Sequence, residues 1–162
     1  MGLDQYLKAR KYVSAYDYKR DDDGELSRHK TDEFNQLSKI MNINVGNEDQ
    51  WHTFATVSFC IGYWRKANAI HQWFVDNVQD GEDDCGEHYV SREQLVELMV
   101  VCKRVLGNRS LASEHLPTQD GFFFGETEYG EWYFSALEDT VTFIDKALSL
   151  DTEWGFEYSS SW

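Results

Sequence analysis

The stretch that decides the fold is Thr53-Phe54-Ala55-Thr56-Val57-Ser58-Phe59-Cys60-Ile61-Gly62-Tyr63, continued by Trp64-Arg65-Lys66-Ala67-Asn68-Ala69-Ile70-His71-Gln72-Trp73-Phe74-Val75-Asp76-Asn77-Val78. The first part reads as a strand. Phe54, Val57, Phe59, Ile61 and Tyr63 are apolar, β-branched or aromatic, and the run from Val57 to Tyr63 alternates with period 2. In the second part the period changes. Trp64, Ala67, Ile70, His71, Phe74, Val75 and Val78 fall at the i, i+3, i+4, i+7 spacing of an amphipathic helix, with Arg65, Asn68, Gln72 and Asp76 on its wet side. Asp80-Gly81 should end that helix.

Outward from this switch, the same tests place the other elements. Residues 2–18 mix Leu3, Tyr6, Leu7, Tyr12, Val13, Tyr16 and Tyr18 with charges, as a partly exposed strand or hairpin does. Lys19-Arg20-Asp21-Asp22-Asp23-Gly24-Glu25 reads as a polar turn. Thr31 or Asp32 can cap a short helix that places Phe34, Leu37, Ile40 and Met41 on one face and stops in the run from Asn42 to Asn47. Downstream, Ser91 and Gln94 have the spacing of a capping box. The helix they open turns Leu95, Leu98, Met99, Cys102, Val105 and Leu106 inward and closes at Gly107-Asn108. A short helical turn is expected near residues 111–114. Gly121-Phe122-Phe123-Phe124-Gly125 reads as a short buried strand between glycines. The last long helix spans about 131–150, with Phe134, Leu137, Val141, Ile144 and Leu148 as its inward stripe. The end alternates Trp154, Phe156, Tyr158, Ser160 and Trp162, which is a strand docked into the sheet. The expected fold is α+β, with three principal helices and one short one packed on a small, mainly antiparallel sheet of four or five strands. No linker or repeat divides the chain, so residues 1–162 are expected to form a single domain.

Charge is the clearest global property. Fifteen Lys and Arg oppose 29 Asp and Glu, for a formal net of −14. It is unevenly spread: residues 1–30 are near neutral at +1, and residues 31–162 carry −15. Such a field repels nucleic acid and anionic membrane and attracts basic surfaces, although acidity also serves solubility alone. The chain holds six Trp, nine Tyr and ten Phe, enough large rings to dominate a small core. The first residues lack the basic-then-apolar pattern of an export signal. No stretch is long and apolar enough for a membrane span. Three widely spaced cysteines, Cys60, Cys85 and Cys102, suit reduced thiols in a cytoplasm.

Several blocks together resemble one group of small proteins. They are Met1-Gly2-Leu3-Asp4-x-Tyr6-Leu7, the block from Tyr63 to Val75, Asp83-Asp84-Cys85-Gly86, Leu116-Pro117-Thr118-Gln119-x-Gly121-Phe122-Phe123-Phe124-Gly125, and Ser159-Ser160-Ser161-Trp162. The chain resembles hypothetical proteins encoded by bacteriophages and prophages. The resemblance implies an accessory protein acting in the cytoplasm of a bacterial host, and it brings no catalytic residues with it.

The chemical constellations are thin. Cys85-x-x-His88 beside Asp83 and Asp84 has the spacing of half a zinc site, but no second pair stands elsewhere, and Cys60 and Cys102 are expected on apolar faces. An acidic solvated loop explains the same residues, so no metal and no cofactor is expected. Asp21 to Glu25 lacks the alternating ligands and distal Glu of a calcium loop. Carboxylates around Cys85 disfavour the thiolate that a nucleophile needs. No nucleophile elbow, phosphate loop or dinucleotide fingerprint is present, so the balance leans away from an enzyme. His71, on the core-facing stripe, fits a hydrogen-bonded structural histidine or, as the rival reading, the mouth of a pocket.

Two functional expectations follow. The first is a non-enzymatic phage accessory or counter-defence protein whose carboxylates bind a basic surface of a host protein, a nucleic-acid-binding one among the candidates, by imitating a phosphate array. Its contacts would be Asp80, Glu82, Asp83, Asp84 and Glu87, with Glu126, Glu128 and Glu131 second. The alternative is a nucleotide- or metabolite-binding protein or enzyme with an aromatic pocket lined by Tyr63, Trp64, His71, Phe122 and Tyr129. Nucleic acid and membrane are not expected as direct partners.

Overall fold

A computed structural model describes residues 2–43 and 53–162 of the chain. Strand β1, Asp4–Ser14, buries Gln5, Leu7, Ala9 and Val13 and turns Lys8, Arg10 and Tyr12 away, the period-2 pattern of a half-buried strand. It lies beside β4, Phe54–Arg65, with the backbone bonds Lys66 N to Leu3 O and Ala15 N to Thr53 O. Strand β6, Trp154–Ser161, takes its other side, and β5, His88–Val90, closes the order β4-β1-β6-β5 in an antiparallel sheet. β5 pairs with β6 through His88↔Tyr158 and Val90↔Phe156. The alternating C-terminus is therefore a central strand, and the short β5 is one the sequence reading did not separate from the loop before it.

The chain forms two compact units. The larger comprises Met1–Arg10 with Phe59–Trp162. Three of its helices, α2 (Asn68–Val78), α3 (Arg92–Gly107) and α5 (Glu131–Ser149), enclose a core of Leu7, Ile70, Phe74, Leu95, Leu98, Leu137, Ile144 and Phe156. Each side chain of this size contributes about 1.5–3 kcal/mol when fully buried. The Ser91 capping box is present, with the Ser91 side chain on Gln94 N and the Gln94 side chain on Ser91 N. α2 ends as its sequence requires: Asp80 and Gly81 are left-handed, at φ 54° and 82°, and Gly81 N bonds back to Val75 O at 2.9 Å. A 3-10 turn at Arg109–Leu111 runs into α4, Ala112–His115.

The smaller unit, Lys11–Ser58, contains the ribbon of β2 (Tyr16–Arg20) and β3 (Leu26–Lys30), paired from Tyr16↔Lys30 to Arg20↔Leu26. Helix α1, Asp32–Ile40, places Phe34 against Val13 and Ala15. Thr31 stands at its N-cap position, but its hydroxyl donates to Ser14 O rather than capping the helix.

The fold is α+β, with corrections. Among the described residues there are five α-helices rather than three, because α1 and α4 are helices of nine and four residues. Ile40 and Met41 are exposed, since α1 unwinds at that point and Asn42 turns left-handed at φ 53°. The remainder of the Asn-rich run, residues 44–47, lies outside the described residues. Trp64 belongs to β4 and not to the helix; it and Gly62 face Phe143 of α5, whereas Tyr63 packs on Tyr6. Gly121 to Gly125 is a turn, not a strand: Phe124 N bonds to Gly121 O, and Phe122 is 96% exposed.

Candidate functional site

Where β4 gives way to α2, the chain passes through Lys66 at φ 58°, a left-handed conformation that is strained for a residue with a side chain. Its N–H is fixed by Leu3 O at 2.7 Å. The Lys66 side chain runs past two glycines. A Cβ on Gly125, itself at φ 90°, would meet Lys66 Cβ at 2.9 Å, and one on Gly2 would meet Lys66 Cε at 3.1 Å. A side chain at Gly125 would collide with the lysine at Cβ, whereas one at Gly2 would ask only a small shift of its flexible end.

Asn68, in the first turn of α2 and 3% exposed, holds the opposite segment in place. Its amide donates to Phe124 O at 3.1 Å and Glu126 O at 2.9 Å, and its Oδ1 accepts from Gln119 N at 3.0 Å. One buried side chain thus ties down a loop more than 50 residues away. Thr118 adds a bond from its hydroxyl to Thr127 O at 2.9 Å, and Tyr133 of α5 donates to Leu116 O at 2.8 Å. Burial pushes the Tyr133 phenol well above its ordinary pKa, so it remains a donor.

These contacts frame a cavity of about 390 Å³, within the range of small-molecule sites. Ala67, Ala69, Ile70, Ala136, Leu137 and Tyr133 supply apolar lining, with Thr118 and Asn68 as polar groups. Arg65 and Lys66 line it from the strand–helix junction; Glu126 and Glu128 line it from the loop. Trp132, also lining it, is 85% exposed. Arg65 and Lys66 form no ion pair among the described residues, whereas Lys8, Arg10, Lys11, Lys19, Lys103 and Arg109 do. Ala67 provides no side-chain cap for α2, and the first turn of that helix has no acidic residue.

The residues expected at functional positions are distributed differently. Of the acidic loop, Asp83 accepts from the Trp162 indole at 3.2 Å, and its other oxygen lies 3.1 Å from His71 Nε2 without hydrogen-bond geometry. Asp84 accepts from His88 and from Gly86 N, which hold its carboxyl below the usual range. Glu87 pairs with Lys8, with the same effect on its pKa. Asp80 and Glu82 are exposed and make no ion pair among the described residues. Glu131 pairs with Arg109 at 2.8 Å, while Glu126 and Glu128 belong to the cavity.

The aromatic set does not converge. Tyr63 bonds to Asp4, Trp64 is buried on Thr140, and His71 is buried on Tyr158. Phe122 projects outward, and Tyr129 accepts from Thr118 N; none of the five lines the cavity. His71 is thus a hydrogen-bonded core histidine. Cys60 is exposed, not on a buried apolar face, and Cys85 is exposed as well. Among the described residues no three His, Cys, Asp or Glu side chains come together to hold a metal ion, and no helix is long and apolar enough to cross a membrane.

Sequence reasoning missed Arg65, Lys66, Asn68, Thr118 and Trp132 as a set. The available signal was an adjacent basic pair at a strand-to-helix switch in an otherwise acidic half. No family model, curated protein or solved structure matches this chain.

Proposed function

We propose that this chain is a small-molecule-binding protein whose ligand occupies the cavity between the start of α2, the 118–130 loop and the start of α5. The observation that carries this reading is a space of about 390 Å³ with an apolar lining and charged groups. Ligand sites combine an apolar lining with a few placed polar groups in this way. The floor is shaped by fully satisfied hydrogen bonds from Asn68 and Tyr133, so the space does not depend on a ligand to hold it open. A thermal-shift screen of nucleotides and common metabolites tests it. A ligand at one hundred times its Kd adds about 2.7 kcal/mol of stability by mass action. A hit should lose its effect in Ala136→Trp, which fills the cavity. A screen with no concentration-dependent rise in Tm would count against the reading.

A second reading, a phage accessory protein that binds a basic host surface, is favoured by the exposed carboxylates of Asp80, Glu82, Glu126 and Glu128, which make no ion pair among the described residues. Asp83, Asp84 and Glu87 are already engaged within the chain, which narrows the contact set the sequence suggested. Complexes of this kind weaken steeply with salt. A captured basic partner should be released by moderate salt and held less well by a variant with Asp80→Asn and Glu82→Gln. Capture indifferent to both changes would rule this reading out.

A further inference from the structure

The charges around the cavity are of two kinds. Glu126 and Glu128 stand on the loop, whereas Arg65 and Lys66 stand together at the junction of β4 and α2. Among the described residues neither Arg65 nor Lys66 pairs with a carboxylate, so the two adjacent charges remain available to an anion in the cavity. Lys66 also occupies its place at the expense of a left-handed backbone, with Gly2 and Gly125 leaving room for its side chain. Strain of that kind is retained where surrounding structure enforces it, and it clusters at ligand sites. Immediately after Lys66 comes the uncapped first turn of α2, whose residues Asn68, Ala69 and Ile70 are buried and line the same space. Their backbone N–H groups and the helix dipole favour negative charge.

We infer that the cavity selects a planar organic anion: its phosphate or carboxylate sits against Arg65, Lys66 and the first turn of α2, its ring lies against the apolar lining and Trp132, and hydrogen-bond donors elsewhere on it meet Glu126 and Glu128. This inference rests on the small-molecule reading above and specifies the class of ligand. The opposed charges make a bare anion a poor fit. A mineral ion offers nothing to Trp132, Ile70 or Leu137 and meets the two glutamates unfavourably. A ring bearing amino or hydroxyl groups satisfies both ends.

The test uses the full chain and two matched pairs of probes: adenosine monophosphate with adenosine, and indole-3-acetate with indole-3-ethanol. Calorimetry should show at least one anion binding saturably and about tenfold or more tighter than its neutral partner, as charge-assisted hydrogen bonds require. The backbone amide resonances of residues 68–70 should move with it. The preference should collapse in Arg65→Gln and in Lys66→Gln, each checked for a native spectrum. It should survive in Lys103→Gln, which removes the same charge from α3 outside the cavity. The phosphate and carboxylate arms tell which anion is taken. Equal binding of an anion and its neutral partner, or a preference untouched by both cavity variants, would overturn the inference and leave the cavity reading standing. Failure of both anions to bind would also overturn it; the cavity reading falls only if the wider thermal-shift screen is empty too.

Discussion

His71 and Tyr158 share a 2.8 Å hydrogen bond between Nδ1 and the phenol oxygen, and both side chains are fully buried. The Tyr158 hydroxyl also donates to Gln5 Oε1 at 3.3 Å, and the Gln5 amide donates to Ala67 O. Three elements, β1, α2 and β6, are thereby joined by polar groups inside an apolar core. Burial holds the Tyr158 phenol far above its ordinary pKa, so the proton stays available throughout the usual range. Its ring stacks on Phe74 at 3.9 Å and 10°. Tyr158→Phe keeps that stack and removes only the oxygen. The change should cost about 1–3 kcal/mol, because His71 and Gln5 are left with buried groups that have no partner. Urea denaturation measures it, and a loss within error would mean that the bond contributes nothing net.

A second buried pair makes an independent prediction. Trp64 Nε1 donates to Thr140 Oγ1 at 2.9 Å, and the same hydroxyl donates to Ala136 O at 2.6 Å. Thr140→Val preserves shape but orphans the indole N–H, for an expected loss of about 1–3 kcal/mol. Thr140→Ser keeps the acceptor and should restore most of that difference. A Thr140→Val loss within error would show that the hydroxyl contributes nothing net.

These pairs show where the sequence was readable and where it was not. Tyr158 and Phe156 alternate with polar neighbours, and that period identified a docked terminal strand. Ser91 with Gln94, and Asp80 with Gly81, signalled helix ends through local chemistry that needs no tertiary partner. Trp64 fits both the strand and the helix pattern, and only Thr140 and Phe143 on α5 decide between them. Phe122 to Phe124 have high strand propensity, but among the described residues their backbone meets the sheet only through Leu3 N to Phe123 O, just ahead of β1. Propensity of that kind measures fit to a pleated surface, and without one the segment closes as a turn through the Phe124 N to Gly121 O bond. The cavity was invisible for a related reason. Asn68 builds its wall by bonding to Gln119, Phe124 and Glu126, and nothing local in the sequence marks that meeting.

The three thiols should differ sharply in reactivity. Cys102 is fully buried on α3, and burial pushes its thiol up to about 12. Cys60 and Cys85 are exposed. Only the thiolate is nucleophilic. Alkylation at mildly alkaline pH should therefore modify Cys60 and Cys85 and spare Cys102 until the chain is unfolded. Mass spectrometry of the labelled peptides reads this directly. Early labelling of Cys102 would reveal local opening of α3.

Acid should weaken the loop before β5 through Asp84 and Glu87. His88 and the Gly86 N–H depress the Asp84 pKa, and Lys8 depresses that of Glu87. A depressed pKa gives stability that is present above the unfolded value, near about 4, and is lost as pH falls through the folded value. Both carboxylates are on the surface, so the effect is modest and screened by salt. The sign is still testable. Asp84→Asn should narrow the stability difference from the parent as pH is lowered from neutrality to below about 4. A difference that is constant over that window would show that the His88 contact does not couple to folding.

Lys66 separates stability from binding. Its left-handed backbone disfavours any residue with a Cβ by about 1–2 kcal/mol, and glycine removes that cost while adding about 0.5–1 kcal/mol of unfolded-state entropy to be lost. Among the described residues the side chain contributes no ion pair that would be missed. Lys66→Gly should thus be neutral to about 1 kcal/mol more stable than the parent, which is unusual for deleting a whole side chain. Gly125→Ala should behave in the opposite way, since its Cβ would be placed 2.9 Å from Lys66 Cβ at a φ of 90°. In the double variant the Lys66 side chain is gone and the steric part of the Gly125→Ala penalty should disappear, leaving only the backbone part. Chemical denaturation of the two single variants and the double completes this cycle. Additive effects would show that the glycine serves the backbone alone. A coupled result would mean that the space beside Gly125 is kept open for the lysine, at a position where the lysine itself lowers the stability of the fold.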